Sequence, residues 1–283
     1  YMNCSQEFVY SENSNHLTTN IIMKPISKFA GCLILLFALF VTEIKAQENP
    51  VSVYTYAYVE AGDMPELMNR METYWYKVAE AATSDNLQFF AFLTKVDGFD
   101  IPNNSNVLIM AGYKDLDKMS ETWNPEALFP NESMDKMSIW KHATIKHRIF
   151  VRSQDWVEKE GVNPDTDFNY ISMSYHETDS PADLIALESE HWGPFVKAAM
   201  DNGQTTQKAW GNATIIAPST PDMGANTISF ELWTSLNDFM GPWFNEDATV
   251  PEDGLAKIME LEKSPRMQYI YKIHHVVQAP QPN

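Results

Sequence analysis

Residues 53–86 and 170–203 repeat one pattern at an offset of 117, and this repeat constrains the fold more than any other feature of the chain. Tyr58 matches Tyr175, Glu60 matches Glu177, Leu67 matches Leu184 and Trp75 matches Trp192. Identity is thin, but the physical pattern is shared. Each copy opens with a run suited to an extended strand, residues 53–59 and 170–176. A helix-start signal follows. Asp63 precedes Glu66, and Ser180 precedes Pro181 and Asp183, so a capping side chain is paired with an acid near the positive helix end. Helical spacing comes next, with Leu67, Met71, Trp75, Val78 and Ala82 in one copy. The other has Leu184, Glu188, His191, Phe195 and Ala199.

The parallel continues beyond the helix. Second strands are expected in "LQFFAFLTK" and "TTQKAWGNATII", and polar loops in "VDGFDIPNNS" and "APSTPDMGA". Third strands, "NVLIMAGY" and "NTISFELW", stand at an offset of 120, a drift that loop insertions produce. A short helix is expected from Leu116 and from Leu236, ending near Trp123 and Trp243. Further helical segments fall at 131–141 and 252–263, and the last strands are "TIKHRIFV" and "YIYKIHHVV". Each unit therefore reads β-α-β-β-α-β, the split-βαβ order of the ferredoxin-like fold. The expected fold class is α+β. The first repeat spans 47–152, a polar linker 153–167 and the second repeat 168–283. In the first strand Tyr54, Tyr56 and Tyr58 share one face, and Val53, Thr55, Ala57 and Val59 the other, as a sheet covered on both sides requires.

This order, with an aromatic-bearing amphipathic helix after each first strand, resembles the dimeric α/β barrel superfamily. The resemblance implies two tandem ferredoxin-like repeats whose antiparallel sheets pack as an α/β barrel within one chain. It further implies a small apolar or aromatic ligand, and cofactor-free oxygenation, isomerisation or lyase chemistry on it. The chlorite-dismutase-like proteins offer an alternative, a haem held by a histidine of the second half, a part that His191 would take; a further alternative is a non-catalytic binding or structural module.

The chain opens with Tyr1, and Met23 is the better natural start. Residues 1–22 are set aside as a leader, and residues 23–46 have the parts of a signal peptide. Lys24 and Lys28 precede a 13-residue apolar run at 29–41, and Ala46 supplies a small residue before Gln47. That run is short for a membrane span. The expectation is a secreted or periplasmic protein, free of the membrane once the signal is removed. Cys4 and Cys32 both fall before residue 47, so the remaining 237 residues contain no cysteine. Disulfides, thiolate nucleophiles and thiolate metal sites are thereby excluded from that part. Its length still allows burial of roughly 70% of the unfolded surface. The chain holds 20 basic and 38 acidic residues, and the net charge stays at −18 without residues 1–46. Such a charge argues against nucleic-acid and anionic-membrane partners. A homo-oligomer is left open.

Chemistry is sought where the copies differ. Glu188 and His191 stand three apart on the second helix, where the first copy has Met71 and Tyr74. Neighbours at that spacing can form an acid–base dyad, with Glu188 orienting His191 as the catalytic group. Glu-x-x-His also holds iron or manganese in some bundles, but the pair alone lacks the three or four ligands that a metal needs, so no metal is assigned. Trp192, His176, Glu231 and Trp233 are candidate ligand contacts. His176 ends the first strand, and Glu231 interrupts the third, where the first copy has Ala111. His274 and His275 end the last strand, and His147 and Arg148 occupy similar ground in the first copy. The remaining tryptophans are expected in the core. Asn103, Asn131 and Asn212 begin glycosylation-type triplets.

Overall fold

The structure, a computed structural model, describes residues 51–98, 105–218 and 224–280. Both cysteines, Asn103 and the segments expected to be leader and signal peptide lie outside the described residues. The described residues belong to one compact unit. No helix among the described residues is long and apolar enough to cross a membrane.

Eight strands close into an antiparallel barrel. They are β1 (Val51–Tyr58), β2 (Leu87–Gly98), β3 (Val107–Tyr113), β4 (Thr144–Glu158), β5 (Tyr170–His176), β6 (Ala209–Ala217), β7 (Thr227–Trp233) and β8 (Met267–Gln278). The order around the barrel is β1-β3-β2-β8-β5-β7-β6-β4. The first half thus reads β4-β1-β3-β2 and the second β8-β5-β7-β6, the same order in both. The halves meet at two antiparallel seams, β2 with β8 and β4 with β6.

Period-two alternation sorts the side chains. Tyr54, Tyr56, Leu93, Leu108, Ile149 and Val151 from the first half fill the barrel with Met173, Tyr175, Ile228 and Tyr269 from the second. Tyr56 and Tyr175 join hydroxyls at 2.6 Å across this interior, each satisfying a polar group that water cannot reach. The opposite faces of the strands carry the helices. Four of the repeated positions, Leu67, Met71, Leu184 and Glu188, are almost fully buried there.

Each half follows its first strand with a helix interrupted by a π turn. In the first, α1 (Met64–Arg70) passes through Met71–Trp75 into α2 (Tyr76–Ala82). In the second, the helices Pro181–Leu187 and Gly193–Asp201 flank the π turn Glu188–Trp192. The two π turns are themselves 117 residues apart.

Several local expectations give way to the structure. Asp63 and Ser180 make no side-chain cap, and Asp63 instead meets His142 Nδ1 at 3.0 Å. Residues 153–158, which their polarity places in a linker, extend β4: Trp156 pairs with Gly211 and Glu158 with Ala209. The segment from Leu116 to Trp123 forms turns instead of a helix. After it come α3 (Pro125–Leu128) and α4 (Met134–Met137), and a 3-10 turn, Ile139–Lys141. The helical segment expected over 131–141 is thus reduced to α4 and that 3-10 turn. Later helices are α5 (Pro164–Asp167), α6 (Pro181–Leu187), α7 (Gly193–Asp201), α8 (Leu236–Met240) and α9 (Glu252–Leu261).

Candidate functional site

The space between sheet and helices is filled differently in the two halves. In the first it holds a cavity of about 550 Å³. The sheet wall includes Val53, Thr55, Phe90, Ile109, Ala111 and Tyr113. Met71 and Trp75 of the π turn face it, and Trp123, Ile139 and Trp140 of the β3–β4 connection close the side. The cover explains the gap. Only α4 and a 3-10 turn stand here, whereas the second half sets the ten-residue α9 in the corresponding place.

The cavity has few polar groups, and each is oriented. Trp75 Nε1 donates to the Met137 carbonyl at 2.8 Å. Trp123 Nε1 donates to the Tyr113 hydroxyl at 3.0 Å. Arg148 of β4 is exposed at the rim beside Ser120 and Trp140, and its Nε donates to Thr55 Oγ1 at 3.2 Å. Burial pushes the Tyr113 phenol upward, against the hydrogen bond from Trp123 and the Arg148 charge. Tyr113 therefore stays protonated at neutral pH. Its oxygen accepts from Trp123, and its own proton has no acceptor among the described residues.

The second half fills the same layer with a polar network. Ser172 Oγ donates to Glu231 at 2.5 Å, and Asn212 Nδ2 donates to Glu188 at 3.1 Å. His176 bonds through both ring nitrogens, to Glu262 at 2.9 Å and to Ser229 at 2.8 Å. Arg266 Nε donates to the same Glu262 oxygen at 2.7 Å. Ser189, within the π turn, bonds Asp155 of β4, whose backbone N–H donates to Asn212 at 3.0 Å. Burial raises the Glu231 carboxyl from 4.5 to about 7, against the Ser172 hydrogen bond and the Arg266 charge. Glu188 is raised by burial too, with His176, Asn212 and Arg266 pulling it back and Glu231 adding to the rise. Burial works against ionised Glu262 as well, but there His176 and Arg266 prevail and the carboxyl is lowered.

No family model and no curated protein matches the chain. Among solved structures, an anthrone oxidase-like protein aligns at a TM-score of 0.53 and 12% identity, over 83% of this chain and 94% of that one. A candidate monooxygenase from Fusobacterium nucleatum subsp. nucleatum ATCC 25586 aligns at 0.52 and 10% identity, over 81% of this chain and 94% of that one. Another from Lactobacillus acidophilus NCFM aligns at 0.50 and 10%, over 82% and 97%. The chain has the dimeric α/β-barrel fold. At such identities the likeness speaks of fold alone.

In this α/β barrel the residues singled out from sequence separate. Glu188, Glu231 and His176 come together in the polar layer, at 2%, 4% and 1% exposure. His191 does not join them. No hydrogen bond links it to Glu188 among the described residues, and its nearest acid is Glu190 at 3.9 Å. The π turn is the physical reason. Its i→i+5 bonding widens the turn, so residues three apart lose the neighbour relation that α-helical spacing assumes. Of the expected stripe, Leu184, Glu188 and Ala199 are buried, while Val196 and Met200 are buried in place of His191 and Phe195. The His191 ring lies instead against Gly254 of α9, where a Cβ would come within 2.6 Å of it.

Trp192 packs with Phe195 and Phe244, and Trp233 with Phe239 and Trp243. Neither lines the cavity of the first half. Trp75 and Trp123, expected in the core, do line it. Asn212 is fully buried in β6, where no glycan fits. Sequence reasoning passes over Thr55 and Tyr113 as site residues and takes Arg148 only as a counterpart of the histidines on the last strand. One signal for them existed: Arg148 alternates with Ile149, and so shares the outward face of β4 with Phe150.

Proposed function

We propose that the protein binds a small, largely aromatic molecule in the cavity of its first half. The observation that carries this reading is the cavity itself. A volume of about 550 Å³ lies in the ordinary range of small-molecule sites, and an apolar wall with a few fixed polar groups is their usual composition. Tyr113 and Arg148 supply donors at defined positions. The similar solved structures include an oxidase-like protein and two candidate monooxygenases, which makes oxygenation of such a ligand the chemistry to assay. The lining favours binding over proton abstraction, because its residues include no histidine or carboxylate to act as base.

The haem alternative finds no support around His191, whose ring is used in packing against Gly254. The common strand order and the two π turns support reading the halves as tandem ferredoxin-like copies of one unit. One copy keeps an open layer and the other has filled it with polar contacts. Residues 23–46 support export, with secretion or periplasmic residence as its consequence.

Titration with naphthalene derivatives tests the cavity reading. Trp75, Trp123 and Trp140 border the site, so tryptophan fluorescence should change along a saturating curve. Ala111→Phe, which fills the cavity from the sheet side, should abolish saturation. Linear, non-saturating quenching that is alike in both proteins would refute the reading.

A further inference from the structure

Arg148 is the single charged group among the residues lining the cavity. Its only hydrogen bond among the described residues is from Nε to Thr55 Oγ1, and no carboxylate pairs with it. By contrast, Arg70 is tied to Glu66 at 2.8 Å and Arg266 to Glu262 at 2.7 Å. A guanidinium offers a planar fork of N–H donors. With Nε held by Thr55, the donors on both terminal nitrogens have no protein acceptor among the described residues. The Tyr113 proton is likewise unclaimed among the described residues, and Tyr113 lines the same cavity as Arg148.

A carboxylate is the acceptor that such a fork fits best, because two parallel charge-assisted bonds satisfy both groups at once. The apolar wall behind Arg148 strengthens that contact relative to open water. Long-range charge cannot be the source of the selection. The chain carries 38 acidic against 20 basic residues, so its overall field repels anions. Any preference for an anionic ligand must be made locally, at the rim.

We infer that the cavity selects amphipathic acids, molecules with a flat apolar body and one ionised carboxylate, which Arg148 clamps at the rim while Tyr113 donates a second bond. This rests on the reading of the cavity as the ligand site. Thr55 is a positioning residue, fixing the guanidinium on the strand.

The test compares three probes of one shape by calorimetry at pH 7: 2-naphthoate, its neutral isostere 2-naphthamide, and 2-naphthol, neutral at that pH. The wild type should bind naphthoate about tenfold more tightly than naphthamide, with naphthol following the amide. Arg148→Met should bring the ratio of the first two to within about twofold, and Arg148→Lys should keep part of it, since lysine retains the charge without the fork. Arg148 is exposed, so both variants are expected to fold, which circular dichroism checks. Equal wild-type affinities for acid and amide would overturn the charge selection alone. So would a preference that survives in Arg148→Met. A naphthol affinity matching naphthoate would point to any oxygen-bearing ring and overturn it too. Binding of none of the three would overturn the cavity reading and this inference together.

Discussion

The two halves of the barrel wrap the same strand order in layers of opposite character. Between the first sheet and its cover, Phe90 of β2 faces Met71, Trp75 and Trp123 around open space. In the second, His176, Asn212 and Glu231 on the strands and Glu188 on the π turn are each hydrogen-bonded. Topology does not decide between these outcomes, since it is shared. A handful of outward positions decide it. Met71 and Glu188 occupy matching places in the two π turns, and Ala111 and Glu231 matching places in the third strands. Small or apolar choices, with a short cover, leave a cavity. Polar choices under a ten-residue helix produce a closed network.

Exchanging these residues between halves breaks the comparison most severely. Met71→Glu places a carboxyl on an apolar wall with no counterpart of Asn212. It should cost about 3 kcal/mol in urea unfolding, the scale of a buried polar group without a partner. Glu188→Met, the reverse exchange, should cost about 2 kcal/mol, because Asn212 loses its acceptor while the apolar volume is kept. Equal, negligible costs in both directions would mean that the layers are less different than their contacts imply.

A pH series sharpens the same contrast. The folded Glu231 carboxyl, at about 7 against an ordinary 4.5, holds a proton that the unfolded chain has released in that interval. The unfolded state binds fewer protons there, so this group's effect on stability becomes less favourable as pH rises from about 4.5 to 7 and is constant above. The scale is about 3 kcal/mol for such an interval. Glu231→Gln keeps an acceptor for Ser172 and removes the titration. The stability of the variant relative to wild type should therefore climb across the interval, measured by denaturation at each pH. A constant difference would show that Glu231 titrates normally.

The contact between His191 and Gly254 gives the smallest effect. Gly254→Ala should lower stability by about 1–2 kcal/mol, because the added Cβ meets the root of the His191 side chain instead of a flexible tip. Adding His191→Gly, which removes both the Cβ and the ring that the new methyl meets, should recover part of the loss in a double-mutant cycle. No recovery in the double variant would place the strain elsewhere and reopen another role for His191.

What the sequence makes legible follows from periodicity. Alternation in β1 separates Tyr54 and Tyr56 from Val53 and Thr55, and barrel and helix layers receive them as expected. The burial of Leu67, Met71 and Leu184 is likewise readable from helical spacing. A π turn is not, because one inserted residue leaves no compositional mark, and so the Glu188–His191 dyad dissolves. Polarity misleads at residues 153–158, where a half-buried seam strand looks like a linker. The cavity is the least legible feature. It depends on the sum of volumes from β1, β3, β4 and a distant connection, and on a cover too short to fill the space. Arg148 gains meaning only once Thr55 and Tyr113 are seen beside it.

The most direct test of the account is a crystal structure of the protein with 2-naphthoate. The predicted result is density for the rings in the first-half cavity, against Trp123 and Phe90, with the carboxylate on Arg148. Density in the second half, beneath Glu188 and Glu231, with an empty first-half cavity, would contradict it.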